Sequence, residues 1–354
     1  MTLPLVELWG EPFEQGLQHG EALREQIAHN LAVYFDRFAS EGQLTAEEVR
    51  HRATLYVPLL EMSPDYFAAV RGVATASNQE LVDVAMLNVR YELLYYQYSV
   101  LPVGGPDGCT AFALLPSATR NGHLLIGENW DWIPEVQGAV LRTSETLSFT
   151  EAGIVGGKIG LNASGIGLAV NGLLSTEDDW SQMVKPFHVR CYEILRSRTL
   201  DEAAGVITGT RRACSTNFVL AQAPDRAVDI EAAPGTSCTL GPERGAVTHT
   251  NHFLEPEHLG VEEPHAERRP HSYTRLARMR ALLNAGRPLG VEDVQACLRD
   301  HDNFPDSVCR HVHPDDPPEE ACVTVISAIM DLHERTLWIS NGAPCVNAYE
   351  RYRL

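Results

Sequence analysis

The chain has 354 residues, of which 44% are hydrophobic, and its 28 lysines and arginines against 47 aspartates and glutamates give a formal net charge of −19. This composition is typical of a soluble globular protein with one large domain or two smaller ones. So negative a surface repels phosphates and anionic lipids, which excludes nucleic acid and membrane surfaces as expected partners.

The amino-terminal residues carry neither a basic segment nor a continuous apolar run, so they do not resemble a secretion signal. No later apolar run reaches the roughly eighteen residues of a membrane-spanning helix. The eight cysteines include no Cys-x-x-Cys pair, which argues against a zinc ribbon or a dense disulfide framework. We therefore expect a cytoplasmic protein whose cysteines are mostly buried thiols.

The first hundred residues show helical periodicity. Helices are predicted over 13–38, 46–60, 64–77 and 80–98, and the last has an apolar stripe that includes Leu81 and Leu94. The next eight residues, 101–108, contain three glycines and two prolines and cannot continue a helix. They predict an exposed joint directly before Cys109.

From Cys109 onward the pattern changes to short strands separated by pairs of helices. Strands are predicted over 110–115, 124–127, 144–149, 153–161, 165–171, 215–222, 227–232, 246–250, 322–331 and 336–340. Helices are predicted over 186–197, 200–209, 272–285 and 291–299. This order favours an α+β fold in which antiparallel sheets are covered by helices.

The sharpest local feature is the flexible Gly108 directly before Cys109 at the start of a predicted strand. A thiol there could attack the Gly108 carbonyl and cut the chain after an N-to-S acyl shift. The cut would give Cys109 a free α-amine, whose ordinary pKa of about 8 suits a general base beside a thiol nucleophile. The alternative is that Cys109 is a small apolar filler at a strand start.

Two further segments offer partners for Cys109. A hairpin through the turn at Asn121 and Gly122 brings Asp131 close to Cys109, where its carboxylate could hold an α-ammonium or could instead cap a turn. Asn251 follows another predicted strand. Its amide could donate to a developing oxyanion or could cap loop backbone.

Together these segments resemble the penicillin acyltransferase-like family of cysteine N-terminal-nucleophile (Ntn) hydrolases, the peptidase C45 family. The resemblance covers most of the chain, and its motifs match in order and spacing. They lie at 10–20, 108–110, 128–131, 215–218, 229–234, 249–252, 307–310, 330–332 and 342–344.

The resemblance implies an αββα sandwich of the Ntn-hydrolase type with an N-terminal helical segment. It also implies an inactive precursor that cuts itself between Gly108 and Cys109. Residues 1–108 would become a helical α-chain and residues 109–354 a β-chain that forms the Ntn-hydrolase core. The two chains would remain associated with each other. The resemblance leaves open whether the protein also forms a homo-oligomer.

The resemblance also assigns roles to individual residues. Cys109 is the nucleophile with its own amine as base, Asp131 positions that amine, and Asn251 donates to the oxyanion. The same comparison implies substrate-binding or oxyanion roles for Asn171, Arg275 and Arg310, although Arg275 could equally be a solvated helix residue. The related bile-salt hydrolases have an arginine where this chain has Glu128. This difference makes conjugated bile salts poor candidates as substrates.

The implied activity is cleavage or transfer of the acyl group of a small N-acyl (amide) substrate through a thioester on Cys109. Hydrolysis and acyl transfer differ only in whether water or an amine attacks that thioester. Acyl-CoA is a polyanion, so a chain of charge −19 needs a local basic patch to bind it. The candidate residues for such a patch are Arg211, Arg212, Arg268 and Arg269. We therefore favour amide hydrolysis, with acyl-CoA-dependent acyl transfer and a non-catalytic binding protein as alternatives.

Metal chemistry is the main competing hypothesis, because several candidate ligands are clustered in the second half. They are His249, His252, His301, His311, His313, Asp315 and Asp316. His249 and His252 end an extended strand and would point to opposite faces. His311 and His313 share a face but have no second ligand-rich stretch nearby. The sequence therefore predicts no metal site and no cofactor.

Overall fold

Two β-sheets lie between two layers of helices in the computed structural model, which describes residues 2–100, 108–264, 270–313 and 321–354. The helices are α1 Pro12–Ala22, α2 Arg24–Gly42, α3 Ala46–Glu61, α4 Pro64–Ser77, α5 Leu81–Val100, α6 Phe187–Ile194, α7 Leu200–Gly205, α8 Pro256–Leu259, α9 Pro270–Asn284 and α10 Val291–Leu298. The strands are β1 Leu5–Glu7, β2 Thr110–Leu114, β3 Leu125–Trp132, β4 Gly138–Arg142, β5 Thr146–Glu151, β6 Ile159–Asn162, β7 Ile166–Gly172, β8 Thr216–Gln222, β9 Arg226–Ala233, β10 Thr236–Leu240, β11 Ala246–His249, β12 Val323–Asp331, β13 Thr336–Asn341 and β14 Glu350–Arg353.

The strands form one sheet of eight and one of six. The first has the order β1-β4-β5-β6-β7-β8-β9-β10, and the second has the order β11-β2-β3-β12-β13-β14. Neighbouring strands are antiparallel, except that β1 pairs parallel with β4. The sheets face each other through β7 and β3, where Gly167 packs against the side chain of Ile126. The predicted α+β sandwich is thus confirmed.

Each sheet is covered on its outer face by helices from a different part of the chain. Helix α5 lies on the eight-stranded sheet, where the Tyr91 hydroxyl donates a hydrogen bond of 2.6 Å to the carbonyl of Ser215. Helices α9 and α10 cover the six-stranded sheet and bury Met279 and Leu298 against Phe112 and Ile329. The N-terminal helices and both sheets share a single continuous apolar core. Among the described residues, none of the helices has the length and apolarity needed to cross a bilayer.

Several predicted elements need correction. The single helix predicted over 13–38 is two helices, because Leu23 leaves the helical region with φ −117° and ψ 24°. This break allows α1 to pack on α4 while α2 follows a separate direction. The strand predicted over 153–161 begins only at Ile159, because Gly153 and Gly156 adopt positive φ in a turn. Strands β1, β4, β10 and β14 were not predicted, and three of them end a sheet.

Helices α1 and α4 approach so closely that only glycine fits at their contact. A Cβ on Gly16 would lie 2.1 Å from the carbonyl oxygen of Ala69, and one on Gly72 would lie 2.3 Å from that of Phe13. Both neighbours are backbone atoms, which cannot rotate away. The glycines therefore set the distance between the two helices.

We predict that Gly16→Ala destabilises the protein by about 1–3 kcal/mol, since overpacking outweighs the gain in helix propensity. Gly205→Ala is the matched control, because a Cβ there meets nothing within 4 Å and no positive φ opposes it. Urea unfolding should show the loss only for Gly16→Ala. Equal midpoints for the two variants would contradict this account of the contact.

Candidate active site

Cys109 lies at the start of β2, inside the sandwich, where only 5% of its surface is exposed. Its Sγ is 3.9 Å from the main-chain oxygen of Asp131 on the neighbouring strand β3. The hairpin predicted through Asn121 and Gly122 is therefore formed, with Thr110 opposite Asn129. It brings together the two residues on which the predicted chemistry depends.

The Cys109 side chain contributes to a cavity of about 20 Å³, room for about one water molecule. Five of its twelve lining residues are aromatic, namely Tyr91, Tyr95, Trp130, Trp132 and Phe187. The polar lining residues are Arg90, Lys158, Asn171 and Thr216. Two wider clefts of about 500 and 550 Å³ lie elsewhere, but neither is lined by a cysteine. The small cavity is the better candidate because it alone among these spaces is lined by Cys109, the predicted nucleophile.

Gly108 packs directly against the Asp131 side chain. A Cβ on Gly108 would come within 2.4 Å of the Asp131 Cβ, so only glycine permits this approach. Asp131 is fully buried, and its Oδ1 accepts a hydrogen bond of 2.7 Å from the Thr324 hydroxyl on β12. The peptide bond between Gly108 and Cys109 is thereby held beside a buried carboxylate.

Arg275 connects Cys109 with Asn251. Its guanidinium donates to the Cys109 carbonyl at 2.7 Å and to the Thr110 hydroxyl at 3.0 Å. It also donates to Asn251 Oδ1 at 3.1 Å, while Asn251 Nδ2 donates to the carbonyl of Gly172 at 3.1 Å. Arg275 is 1% exposed, so it is a buried residue of this network and not a solvated helix arginine.

Asn171 supplies a hydrogen-bond donor at the cavity wall. Its Oδ1 accepts from Asn217 Nδ2 at 3.3 Å, which fixes the amide orientation. Asn217 is held in turn by Asp229, at 2.7 Å. Within the described ranges, the Nδ2 of Asn171 is buried without a hydrogen-bond partner. A buried unpaired donor is costly, and a developing oxyanion would satisfy it.

A buried group of charges lies behind the cavity. Glu151 on β5 accepts hydrogen bonds from Arg90 on α5 and from Lys158, the latter at 2.5 Å. The Lys158 Nζ lies 3.2 Å from the centre of the Trp130 ring. Burial lowers the pKa of Lys158 to about 8, although the negative charge of Glu151 acts in the opposite direction and raises it. Burial by itself raises the pKa of Glu151. The positive charges of Arg90 and Lys158 outweigh burial and hold this pKa below its ordinary value.

Glu128 places a second carboxyl group near Cys109. Its Oε2 accepts a hydrogen bond of 2.6 Å from the Val170 amide, and its Oε1 has no hydrogen-bond partner among the described residues. Burial raises the pKa of Glu128 to about 8. Burial also raises the pKa of the Cys109 thiol, and the negative charges of Glu128 and Asp131 raise it further. The thiol in the uncut chain is therefore protonated and needs a base.

The predicted site residues fall into two groups. Cys109, Asp131, Asn171, Asn251 and Arg275 lie in one connected region, as the contacts above describe. Arg310, like Asp131, Asn251 and Arg275, does not line the cavity itself. Its guanidinium is 3.0 Å from Asp306, and its backbone amide donates a hydrogen bond of 2.9 Å to the Thr324 hydroxyl, which in turn contacts Asp131.

The histidines proposed as metal ligands near Asn251 have other partners. His249 Nε2 is 2.9 Å from Glu231 Oε1, in a fully buried ion pair. His252 Nδ1 is 2.7 Å from the Ser272 hydroxyl. The two rings do not share a site, as the strand geometry predicts. Asp315 and Asp316 lie outside the described residues.

Sequence reasoning missed the residues that complete the cavity wall and its support, namely Arg90, Lys158, Glu151, Asn217 and Thr324. Only the position of Lys158 could have been noticed in the sequence. The chain has only two lysines, and Lys158 lies between a glycine and an isoleucine, in a stretch that otherwise has no charged side chain beside it. The others are ordinary polar residues inside apolar elements. Only their pairing in space distinguishes them.

We predict that Glu128→Gln stabilises the folded chain more at about pH 8 than at about pH 5. Because the pKa of Glu128 is raised from 4.5 to about 8, its favourable contribution is complete below 4.5 and is lost as the pH rises through about 8. Glutamine keeps the Val170 acceptor and cannot ionise. Thermal midpoints measured in the Cys109→Ala background, which keeps the chain uncut, test this.

Glu145→Gln is the control, because Glu145 is exposed at the turn before β5. The difference in thermal midpoint between the Glu145→Gln variant and the parent chain should be the same at every pH. A difference between Glu128→Gln and the parent chain that does not change with pH would show that Glu128 does not titrate as described.

Comparisons with known proteins agree with one another. The model of the acyl-coenzyme A:6-aminopenicillanic acid acyl-transferase family matches residues 117–345, which include Asp131, Asn171, Asn251 and Arg275. The chain is 28% identical over 320 residues to the 40 kDa form of acyl-coenzyme A:6-aminopenicillanic-acid-acyltransferase of Emericella nidulans, which covers 86% of this chain and 84% of that protein.

Solved structures also show similarity, at lower identity. Penicillin V acylase from Agrobacterium tumefaciens has a TM-score of 0.45 at 16% identity, covering 66% of this chain and 83% of that one. The Caenorhabditis elegans orthologue of N-acylethanolamine-hydrolyzing acid amidase has a TM-score of 0.46 at 13% identity, covering 63% of this chain and 93% of that one.

Proposed function

The chain belongs to the acyl-coenzyme A:6-aminopenicillanic acid acyl-transferase family, and on this basis we propose that it is an enzyme activated by its own cleavage at Gly108 and Cys109. In this proposal the cut enzyme takes the acyl group of a small N-acyl compound onto the Cys109 sulfur. Water or an amine then removes that group. The enzyme is therefore an amidohydrolase and acyltransferase of the Ntn type.

One observation carries the proposal, namely the packing of the Gly108–Cys109 junction against buried Asp131 beside a donor-lined cavity. A Cβ on Gly108 would collide with Asp131, and the Cys109 carbonyl is fixed by Arg275 at 2.7 Å. The first contact positions Gly108, on one side of the scissile bond, and the second anchors Cys109, on the other side, through the peptide unit that follows it. A cysteine that only fills the core would need neither contact.

The activating step converts a peptide bond into a carboxylate and an amine. The Cys109 sulfur attacks the Gly108 carbonyl carbon, the carbon–nitrogen bond breaks, and the nitrogen takes up the thiol proton and leaves as the α-amine of Cys109. Water then hydrolyses the resulting thioester, which releases the Gly108 carboxylate and restores the thiol. The products are chains 1–108 and 109–354.

The new α-amine provides the base that the buried thiol lacks. It takes the proton from Sγ, and Asp131 stabilises the ammonium that forms. The thiolate then attacks the acyl carbonyl of the substrate, and the leaving amine takes the proton back. Hydrolysis or transfer completes the cycle at the Cys109 thioester.

The side-chain amides of Asn171 and Asn251 can each donate a hydrogen bond to the oxyanion, but they start from different hydrogen-bond arrangements. Asn171 has a buried Nδ2 that is unpaired among the described residues and so can donate directly. Asn251 Nδ2 already donates to Gly172, so it must exchange this partner to reach the substrate. We assign Asn251 the oxyanion role that the family resemblance implies, with Asn171 as the second donor.

Acyl-CoA-dependent transfer is the second candidate, favoured by the family match. The pair Arg211 and Arg212 does not form the basic patch that binding of acyl-CoA would require. Arg212 is buried and its guanidinium donates to backbone carbonyls, including those of Thr236 and Ile207 at 2.7 Å each. Arg268 and Arg269 lie outside the described residues.

We predict that the purified wild type consists of two associated fragments and that the larger one begins at Cys109. Cys109→Ala should remain one inactive chain, since alanine has no group to attack Gly108. Cys109→Ser should cut slowly or not at all, because a hydroxyl is the poorer nucleophile. Intact-mass spectrometry with N-terminal sequencing measures all three.

Cys191→Ala is the matched control, because Cys191 is a buried thiol on α6 that does not line the Cys109 cavity. It should still be cut. A wild type that hydrolyses amides while its full-length mass persists would overturn the Ntn mechanism and leave Cys109 in need of a different base.

We predict that Asn251→Ala lowers kcat by about a hundredfold, since loss of one oxyanion donor costs about 3 kcal/mol of transition-state stabilisation. Asn171→Ala should lower kcat to a similar degree with little change in KM. Rates are measured on the best substrate from a panel of N-acyl amides and N-acyl amino acids, after mass spectrometry has shown that the variant is cut. An unchanged kcat in either variant would show that the substituted asparagine does not donate to the oxyanion.

A further inference from the structure

Four side chains with metal-binding atoms meet at one end of the six-stranded sheet, and none of them lines the Cys109 cavity. They are His301, Cys309, His311 and Cys345, and their ligand atoms all lie within 4.8 Å of one another. The first three follow α10, whereas Cys345 lies between β13 and β14. The group therefore joins two segments that are distant in sequence.

Ordinary hydrogen bonding does not account for the contacts of His311. Its Nε2 lies 3.1 Å from His301 Nε2, 3.7 Å from Cys309 Sγ and 3.4 Å from Cys345 Sγ. An imidazole nitrogen has either one proton to donate or one lone pair to accept, so it makes one good hydrogen bond. Three polar atoms converge on it, and a cation at their centre would satisfy all four groups together.

The three distances from His311 Nε2 resemble those between ligand atoms of a tetrahedral zinc site. Bond lengths of about 2.3 Å to sulfur and about 2.0 Å to nitrogen place tetrahedral ligand atoms about 3.3–3.8 Å apart. The three contacts of His311 lie close to that range. Two thiolates with two imidazoles form a Cys₂His₂ set, which suits Zn²⁺ better than Mg²⁺ or Ca²⁺.

Backbone hydrogen bonds hold the ligands in these positions. The Cys309 amide donates to the Asp300 carbonyl and the His311 amide to the Pro305 carbonyl, each at 3.0 Å. Arg299 Nε donates to the Pro344 carbonyl at 2.8 Å, which fixes the end of α10 beside Cys345. Cys309 is buried and His301 is exposed, so the group is accessible to a metal ion from solvent.

We propose that His301, Cys309, His311 and Cys345 bind one Zn²⁺ ion in a structural site. All four ligand positions come from the protein, so the site takes no part in acyl chemistry. On binding, each thiol gives up its proton to form a zinc–sulfur bond. The ion would brace the segment that carries Arg310, whose amide donates to Thr324 and, through that hydroxyl, supports Asp131.

Zinc content is the direct test, and the Cys109→Ala chain is the sample because it removes the proposed nucleophile and does not depend on cleavage. Protein made without a histidine tag should contain stoichiometric zinc by elemental mass spectrometry. Cobalt exchanged into the site should give the visible absorption of tetrahedral Co²⁺ with thiolate ligands. Cys345→Ser and His301→Ala should lose both signals, because losing a direct ligand weakens binding beyond the roughly 10–100-fold typical of an outer-shell partner.

Cys238→Ser is the matched control, since Cys238 is also a partly exposed free thiol but lies outside the group. It should keep full zinc content. Chelation should lower the Tm of the parent chain by about 5 °C and leave that of Cys345→Ser unchanged, because only the parent loses a bound ligand.

Three results would overturn the proposal. One is a parent chain that binds neither zinc nor cobalt. Another is equal zinc content in the parent, Cys345→Ser and His301→Ala chains, which would place the ion elsewhere. The third is a disulfide between Cys309 and Cys345, detected by a lower intact mass and protection from alkylation, in protein without zinc.

Discussion

Burial of the Cys109 thiol between two carboxyl groups is the constraint on which the rest of the site depends. Desolvation raises the pKa of the thiol, and the negative charges of Glu128 and Asp131 raise it further. A thiolate is therefore unstable in the uncut chain unless a base lies beside it. The proposed α-amine is such a base, and it would form close to Asp131 because Gly108 packs against that residue. The same low-polarity surroundings strengthen every hydrogen bond offered to an oxyanion.

The buried charges behind the cavity determine how the N-terminal helices are joined to the sheets. Arg90 comes from α5, whereas Glu151 and Lys158 come from the eight-stranded sheet and the turn that follows it. Tyr34 of α2 also contacts Glu151 and accepts a hydrogen bond of 2.8 Å from Trp132. Breaking this network would leave charges buried without partners, which is far more costly than losing a surface ion pair. The helices would therefore stay in place even after a cut at residue 108.

The sequence predicts most of the architecture but only part of the site. Helix α4 has the predicted bounds, and the turn at Asn121 and Gly122 correctly predicts the hairpin that brings Asp131 to Cys109. Local patterns cannot show the break at Leu23, since it depends on how α1 meets α4. They also cannot show that Cys309 and Cys345 approach His301 and His311, because the outermost members are 44 positions apart. Lys158 and Asn217 were missed for the same reason, as their partners are distant in sequence.

Strand β1 is only three residues long, yet it occupies the edge of the eight-stranded sheet. It pairs with β4, and Glu7 forms an ion pair with Arg142, whose guanidinium also donates to the Arg353 carbonyl at 3.0 Å. Without β1, the unpaired amides and carbonyls of β4 would be available to a strand of another molecule. By pairing with β4, strand β1 thus protects this edge of the sheet from pairing with a strand of another molecule. Shortened versions of the protein that lack β1 would be prone to precipitate even with every site residue intact.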